Sequence, residues 1–199
     1  MTTEQEAYVD SIFNNQLTIV DARSGSGKTT LAVASAHLMQ KPLVYLFNPV
    51  EEGKLGFRPG TQCEKESDYL QPLRDALLAI NENPMRSIAT DATSMKQGAW
   101  IEAKSHIFLR GTNLSDVTVI VDEAQNMTLP DLKKILTRIH DSCKVIVIGH
   151  TGQCDLHDPR KSGFPTLINH FRDKEYAQFL VLTKNFRGIL AQDADEMHL

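Results

Sequence analysis

Several polar residues in this chain stand directly after short apolar stretches, in the types and spacing that phosphate chemistry uses. The first set is Ala22-Arg23-Ser24-Gly25-Ser26-Gly27-Lys28-Thr29, which follows Leu17 to Asp21. It fits the Walker A pattern G-x-x-x-x-G-K-S/T, with Ala22 in place of the first glycine. Gly25 and Gly27 let the backbone curl so that successive N–H groups face one concavity. Ser24, Gly25, Ser26, Gly27, Lys28, Thr29 and Thr30 are therefore the candidate phosphate cradle. Lys28 would reach the β- and γ-phosphates of ATP, and the Thr29 hydroxyl would coordinate Mg²⁺. The plainer alternative is a glycine turn before an ordinary helix.

The second set is acidic. Val117 to Val121 is a continuous apolar run that leads straight into Asp122-Glu123-Ala124-Gln125. A carboxylate ending a buried strand sits at the carboxyl edge of a sheet, where ligands of open α/β sheets bind. Asp122 would hold Mg²⁺ through water, and Glu123 would orient or deprotonate an attacking water. Alternatively, the pair simply ends a strand in a solvated turn. Two further candidates follow later strands. Gln153 can hydrogen-bond a γ-phosphate or its attacking water. Arg187, in Asn185-Phe186-Arg187, offers a guanidinium fork suited to charge on a transferring phosphoryl group. On these residues alone, a surface salt bridge is the reading favoured for Arg187.

The elements that must position these groups are legible as an alternation. Leu17–Asp21, Leu43–Phe47, Val117–Val121, Val145–Ile148 and Phe179–Leu182 read as strands, the central ones buried on both faces. Thr29–Gln40 reads as a helix that ends at Lys41-Pro42, because proline disfavours helical geometry in the residue before it. Asp68–Asn81 has helical period, with Tyr69, Leu73, Leu77 and Ile80 on one face. Pro130 suits the first turn of a helix striped by Leu132, Ile135, Leu136 and Ile139. Between Asn83 and Asn113 only a short strand or hairpin near His106–Leu109 is expected. The fold class predicted is α/β: a three-layer, mostly parallel sheet of about five strands, with residues 1–199 as one domain.

Composition agrees with that class and narrows the rest. The chain has 199 residues, of which 41% are hydrophobic and 23% charged, within the range of globular proteins. No apolar run approaches the roughly 18 residues that span a bilayer, and the polar start MTTEQEAYVD does not read as a leader. Three cysteines make no disulfide framework, so a cytoplasmic location is expected. The net charge of −4 gives no support to duplex-DNA binding.

With these residues in place, the chain resembles the PhoH-like ATPase family, whose core is similar to the motor domain of superfamily-one helicases. The most specific match runs from Glu51 through Lys54-Leu55-Gly56-Phe57-Arg58-Pro59-Gly60, and on through Tyr69-Leu70-Gln71-Pro72-Leu73. Arg110-Gly111-Thr112, Asp122-Glu123-Ala124-Gln125-Asn126, Leu136-Thr137-Arg138 and Lys161-Ser162-Gly163 extend it. The resemblance implies that Gln5 reads the adenine edge and that Gln153 senses the γ-phosphate. It also implies that Arg187 acts on that phosphate within a chain or across a subunit interface. It further implies ATP and Mg²⁺ as ligands, RNA or single-stranded DNA as a partner, and a homo-oligomer, in some members a ring. Three residues depart from the family pattern: Ala22 for glycine, Asn48 for arginine and His150 for aspartate. No room is expected for the PIN ribonuclease domain that some relatives carry.

Two other readings compete with a polymer-coupled ATPase. A nucleotide-binding switch with little turnover is kept open by His150 and Asn48. A thymidine-kinase-like kinase would also carry Asp-Glu-Ala-Gln, but it would need cysteine pairs, and Cys63, Cys143 and Cys154 form none. His150, Cys154 and His157 have a superficially metal-like spacing, and we expect no zinc there.

Overall fold

The computed structural model describes residues 1–49, 68–109 and 111–195. Its centre is a six-stranded sheet: β1 (Leu17–Ala22), β2 (Leu43–Phe47), β3 (Ile101–Ser105), β4 (Thr118–Val121), β5 (Lys144–Gly149) and β6 (Ala177–Leu182). The spatial order is β3-β2-β4-β5-β1-β6, and every neighbouring pair is parallel. Parallel strands need crossovers, and the crossovers place helices on both faces. That is why β1, β2, β4 and β5 are almost wholly buried and read as largely apolar runs.

The two faces collect alternate residues of each strand. One face joins Ile19, Leu46, Val121 and Val147 to the helices Leu129–Leu136 and Phe164–Phe171. The other joins Val20, Tyr45, Ile120 and Ile148 to α1 (Thr3–Asn14), α2 (Lys28–Leu38) and the helix Gln71–Ala79. Helix α1 begins with a capping box: Thr2 accepts from the Gln5 amide at 3.3 Å, and Gln5 accepts from the Thr2 amide at 3.0 Å.

The sheet has one strand more than the sequence suggested, and its position differs. The strand expected near His106–Leu109 is a 3₁₀ turn, and β3 lies just before it at Ile101–Ser105. As an edge strand β3 buries Ile101 and Ser105 and exposes Glu102, so it lacks the continuous apolar run of its inner neighbours. The stretch Glu51–Gly60 and Arg110 lie outside the described residues. Among the described residues no helix is long and apolar enough to cross a membrane.

Candidate nucleotide-binding site

The strand order brings the carboxyl ends of β1, β5 and β4 side by side, so the loops that follow them meet at one edge of the sheet. The loop after β1 turns through Gly25 at φ +74° and Gly27 at φ +80°. Gly27 is the N-cap of α2, and Lys28 opens that helix. Both glycines occupy left-handed backbone that residues with a Cβ adopt only at a cost. The loop therefore meets the positive end of an eleven-residue helix, where an anion is favoured. The Lys28 ammonium donates to the Ala22 carbonyl at 3.3 Å, folded back over the loop it would serve. Ser26 is buried, whereas Ser24, Thr29 and Thr30 are half-exposed along the rim.

Asp122 stands at the mouth of β4 and is almost wholly buried, at 1% exposure. Its Oδ2 accepts from Thr29 Oγ1 at 3.1 Å and from Tyr45 Oη at 2.5 Å. Its Oδ1 accepts from the Glu123 amide at 2.9 Å. These three donors satisfy a carboxylate that would otherwise be costly to bury. Burial, followed by the charges of Asp122 and Glu123, holds the Tyr45 phenol well above its ordinary value of 10.0, so it stays a donor.

Glu123 has a left-handed backbone at φ +53°, which swings its side chain out of the strand direction. Its Oε2 accepts from Gln125 Nε2 at 2.5 Å. Burial and then the Asp122 charge raise its carboxyl above the ordinary 4.5, against the lowering pull of Lys28. The other end of the Gln125 amide accepts from the His150 amide at 3.0 Å. Gln125 thus ties Glu123 to the loop after β5, which also carries Gln153. Gln153 itself is exposed, and its amide donates to the His150 carbonyl at 3.3 Å.

The remaining candidates flank the loop after β1. Gln5 Nε2 donates to the Ser26 carbonyl at 3.0 Å, so both ends of its amide are engaged in this structure, one by the loop and one by the cap of α1. The segment after β6 lies across the tip of the same loop. The Phe186 amide donates to the Gly25 carbonyl at 3.0 Å, and a Cβ placed on Gly25 would lie 2.6 Å from Arg187 Cγ. Lys28, Thr29, Asp122, Glu123, Gln5 and Arg187 are thus gathered around one loop edge, with Gln153 joined to it through Gln125.

Cys154 Sγ donates to the Gln125 carbonyl at 3.3 Å, a place in the same hydrogen-bond network. Among the described residues no group of three or more His, Cys, Asp or Glu side chains is arranged to hold a metal. A pocket of about 140 Å³ beside His106, Asp131 and Arg138 contains none of the residues gathered at the loop.

Two residues of this site had no role in the sequence reading. Tyr45 read only as part of an apolar strand, although a phenol inside a sheet buried on both faces must find a partner for its hydroxyl. Gln125 was visible as a motif letter, but its link between Glu123 and β5 depends on the fold.

Comparison with known proteins places the chain in a family and a fold. A PhoH-like protein from Mycobacterium tuberculosis is 35% identical over 188 residues, covering 92% of this chain and 52% of that protein. The chain therefore spans about half the length of that relative. Among solved structures, the large terminase of a thermophilic bacteriophage in complex with ADP superposes with a TM-score of 0.56 at 12% identity. That match covers 92% of this chain and 46% of the terminase. The Pyrococcus furiosus Hef helicase domain gives 0.52 at 14% identity, covering 90% of this chain and 38% of that one. Both superpositions show the fold of helicase- and terminase-like P-loop NTPases. The PhoH-like protein model matches residues 1–194, and with the loop, the acidic pair and the parallel sheet in place the chain belongs to the PhoH-like family.

Proposed function

We propose that this chain, acting as one domain over residues 1–199, binds ATP with Mg²⁺ and hydrolyses it, coupled to RNA or single-stranded DNA. The observation that carries the reading is the approach of Thr29 Oγ1 to Asp122 Oδ2 at 3.1 Å across the sheet edge. Two hard oxygen donors from separate motifs converge there, which is the donor chemistry Mg²⁺ takes. Thr29 and Asp122 would hold the ion, which would supply positive charge to offset that of the phosphates.

The chain's own groups supply the rest. The amides from Ser24 to Thr30 and the α2 dipole hold the phosphates, and Gln5 takes the adenine edge. Lys28 leaves the Ala22 carbonyl for the β- and γ-phosphates. Glu123, whose raised carboxyl is a stronger base than an ordinary glutamate, takes a proton from water. The water oxygen attacks the γ-phosphorus in line, and the bridging oxygen leaves with ADP. Gln153 positions the water, and Arg187 stabilises the equatorial oxygens. Arg187 Cγ would lie 2.6 Å from a Cβ on Gly25 of its own chain, which supports action within one chain beside the alternative of action across a subunit interface.

Steady-state ATP hydrolysis with Mg²⁺, with and without single-stranded RNA or DNA, tests the reading. Lys28→Ala should abolish turnover, and Glu123→Gln should lower it by at least about 100-fold while retaining ATP binding. Stimulation by a polymer would support the coupling. Tight ATP binding without turnover in the unmodified protein would overturn hydrolysis and leave a nucleotide switch.

A further inference from the structure

Asp122 is held from a direction that the loop and acidic motifs do not supply. In the parallel register of β2 and β4, Tyr45 stands opposite Ile120. Asp122 is two residues beyond Ile120, so it shares that face of the sheet as a diagonal neighbour of Tyr45. Such diagonals are about 7–8 Å apart, within reach of an aromatic side chain. Tyr45 spans the gap and places its hydroxyl 2.5 Å from Asp122 Oδ2. Both residues are 1% exposed, so water does not compete for the bond.

The oxygen that Tyr45 contacts is the one that Thr29 contacts at 3.1 Å. A phenol that merely needed a partner could have met either oxygen. Here it restrains the one turned toward the loop, while the Glu123 amide restrains the other at 2.9 Å. The carboxylate is pinned at both ends, and Tyr45 is the pin that comes from outside the motifs.

We propose that Tyr45 is a positioning residue: its hydroxyl fixes the Asp122 carboxylate toward Thr29 and so sets how tightly the chain holds Mg²⁺ with ATP. This rests on the reading of Thr29 and Asp122 as the Mg²⁺ residues. Without the hydroxyl, Asp122 loses a charge-assisted hydrogen bond and gains rotational freedom, so the pair must be re-ordered each time the ion binds.

The test is Tyr45→Phe in the whole chain, with binding of a non-hydrolysable ATP analogue measured first in EDTA and then across a Mg²⁺ titration. In EDTA the variant should match the unmodified protein within about twofold. The Mg²⁺ needed for half-maximal tightening should rise about tenfold, the scale of one hydrogen bond to a charged group. A titration that superimposes on the unmodified protein, or is shifted to lower Mg²⁺, would overturn the proposal. If Tyr45→Phe fails to fold, the unmodified protein decides. The Tyr45 ¹³Cζ resonance should move when Mg²⁺ is added to the analogue-bound chain, and no movement would overturn the proposal. An unmodified protein whose analogue binding does not tighten with Mg²⁺ would overturn the metal reading and this proposal together. A normal response in Tyr45→Phe would overturn this proposal alone.

Discussion

Replacing Gly25 with alanine probes whether the loop after β1 must hold the geometry seen here in order to bind a nucleotide. Gly25 has φ +74°, where an L side chain costs about 1–2 kcal/mol. The added Cβ would also lie 2.4 Å from Asn185 Oδ1 and 2.6 Å from Arg187 Cγ. Both contacts are impossible, so the segment after β6 must lift. It then forfeits the 3.0 Å hydrogen bond from the Phe186 amide to the Gly25 carbonyl, worth about 0.5–1.5 kcal/mol. The two costs together come to about 1.5–3.5 kcal/mol, or about 10- to 300-fold in any equilibrium that requires the loop as it stands.

Where that cost appears is itself informative. The loop rim and the 185–187 segment are not part of the core, so the free variant can relax there without disturbing the sheet. The melting temperature should then change little, while ATP affinity falls by about the full 10- to 300-fold. Isothermal titration beside a thermal melt separates the two. A second variant, Asn185→Ala, removes one of the two clashing side chains and leaves the left-handed backbone. In that background the Arg187 Cγ contact remains, so Gly25→Ala should lose at least the part due to backbone strain, about 5- to 30-fold. Wild-type ATP affinity in Gly25→Ala would refute the reasoning, because the loop geometry would then be irrelevant to binding. Equal loss of affinity and of stability would refute the claim that the strain is local.

Other variants separate the site from its scaffold. Glu123→Gln should lower kcat by about 10²- to 10⁴-fold and leave ATP affinity within a few-fold, as expected for loss of a general base. Gly163→Ala should do the reverse. Its Cβ would meet the Leu129 amide nitrogen at 2.4 Å, so two helices must part, at about 2 kcal/mol and a drop in Tm of about 4–8 °C, with ATP affinity unchanged. Glu4 makes a pH-dependent link between α1 and the end of β6. It accepts from the Thr183 amide at 2.9 Å and from the Thr183 hydroxyl at 2.7 Å, and these bonds hold its carboxyl below the ordinary 4.5. A carboxylate depressed in the folded state stabilises it above the unfolded value and loses that contribution as pH falls through the folded one. The Tm difference between unmodified protein and Glu4→Gln should therefore be present at neutral pH and close as pH falls below about 4.5. A difference that is constant with pH would refute the link.

How much could be read from the sequence depended on how many faces of an element are buried. The inner strands β1, β2, β4 and β5 announced themselves, because burial on both faces leaves no exposed position in Leu43–Phe47 or Thr118–Val121 and keeps them largely apolar. The edge strand β3 carries Glu102 and Lys104 among its five residues, and its pattern is shared by many turns. The apolar run His106–Leu109 misled for the opposite reason: Ile107 and Phe108 are 53% and 52% exposed, so their hydrophobicity reports no strand. The same limit applies to the site. Lys28, Thr29, Asp122 and Glu123 are contiguous within motifs, so chain order alone proposed them. Tyr45 and Asp122 are 77 residues apart and meet only because β2 and β4 pair with Tyr45 opposite Ile120. A slip of one residue in that register would turn Tyr45 to the other face of the sheet and leave Asp122 with one donor fewer in a buried setting. The hydrogen bond at Asp122 therefore both depends on the strand pairing and favours it, so the chemistry of the site helps to specify the fold that presents it.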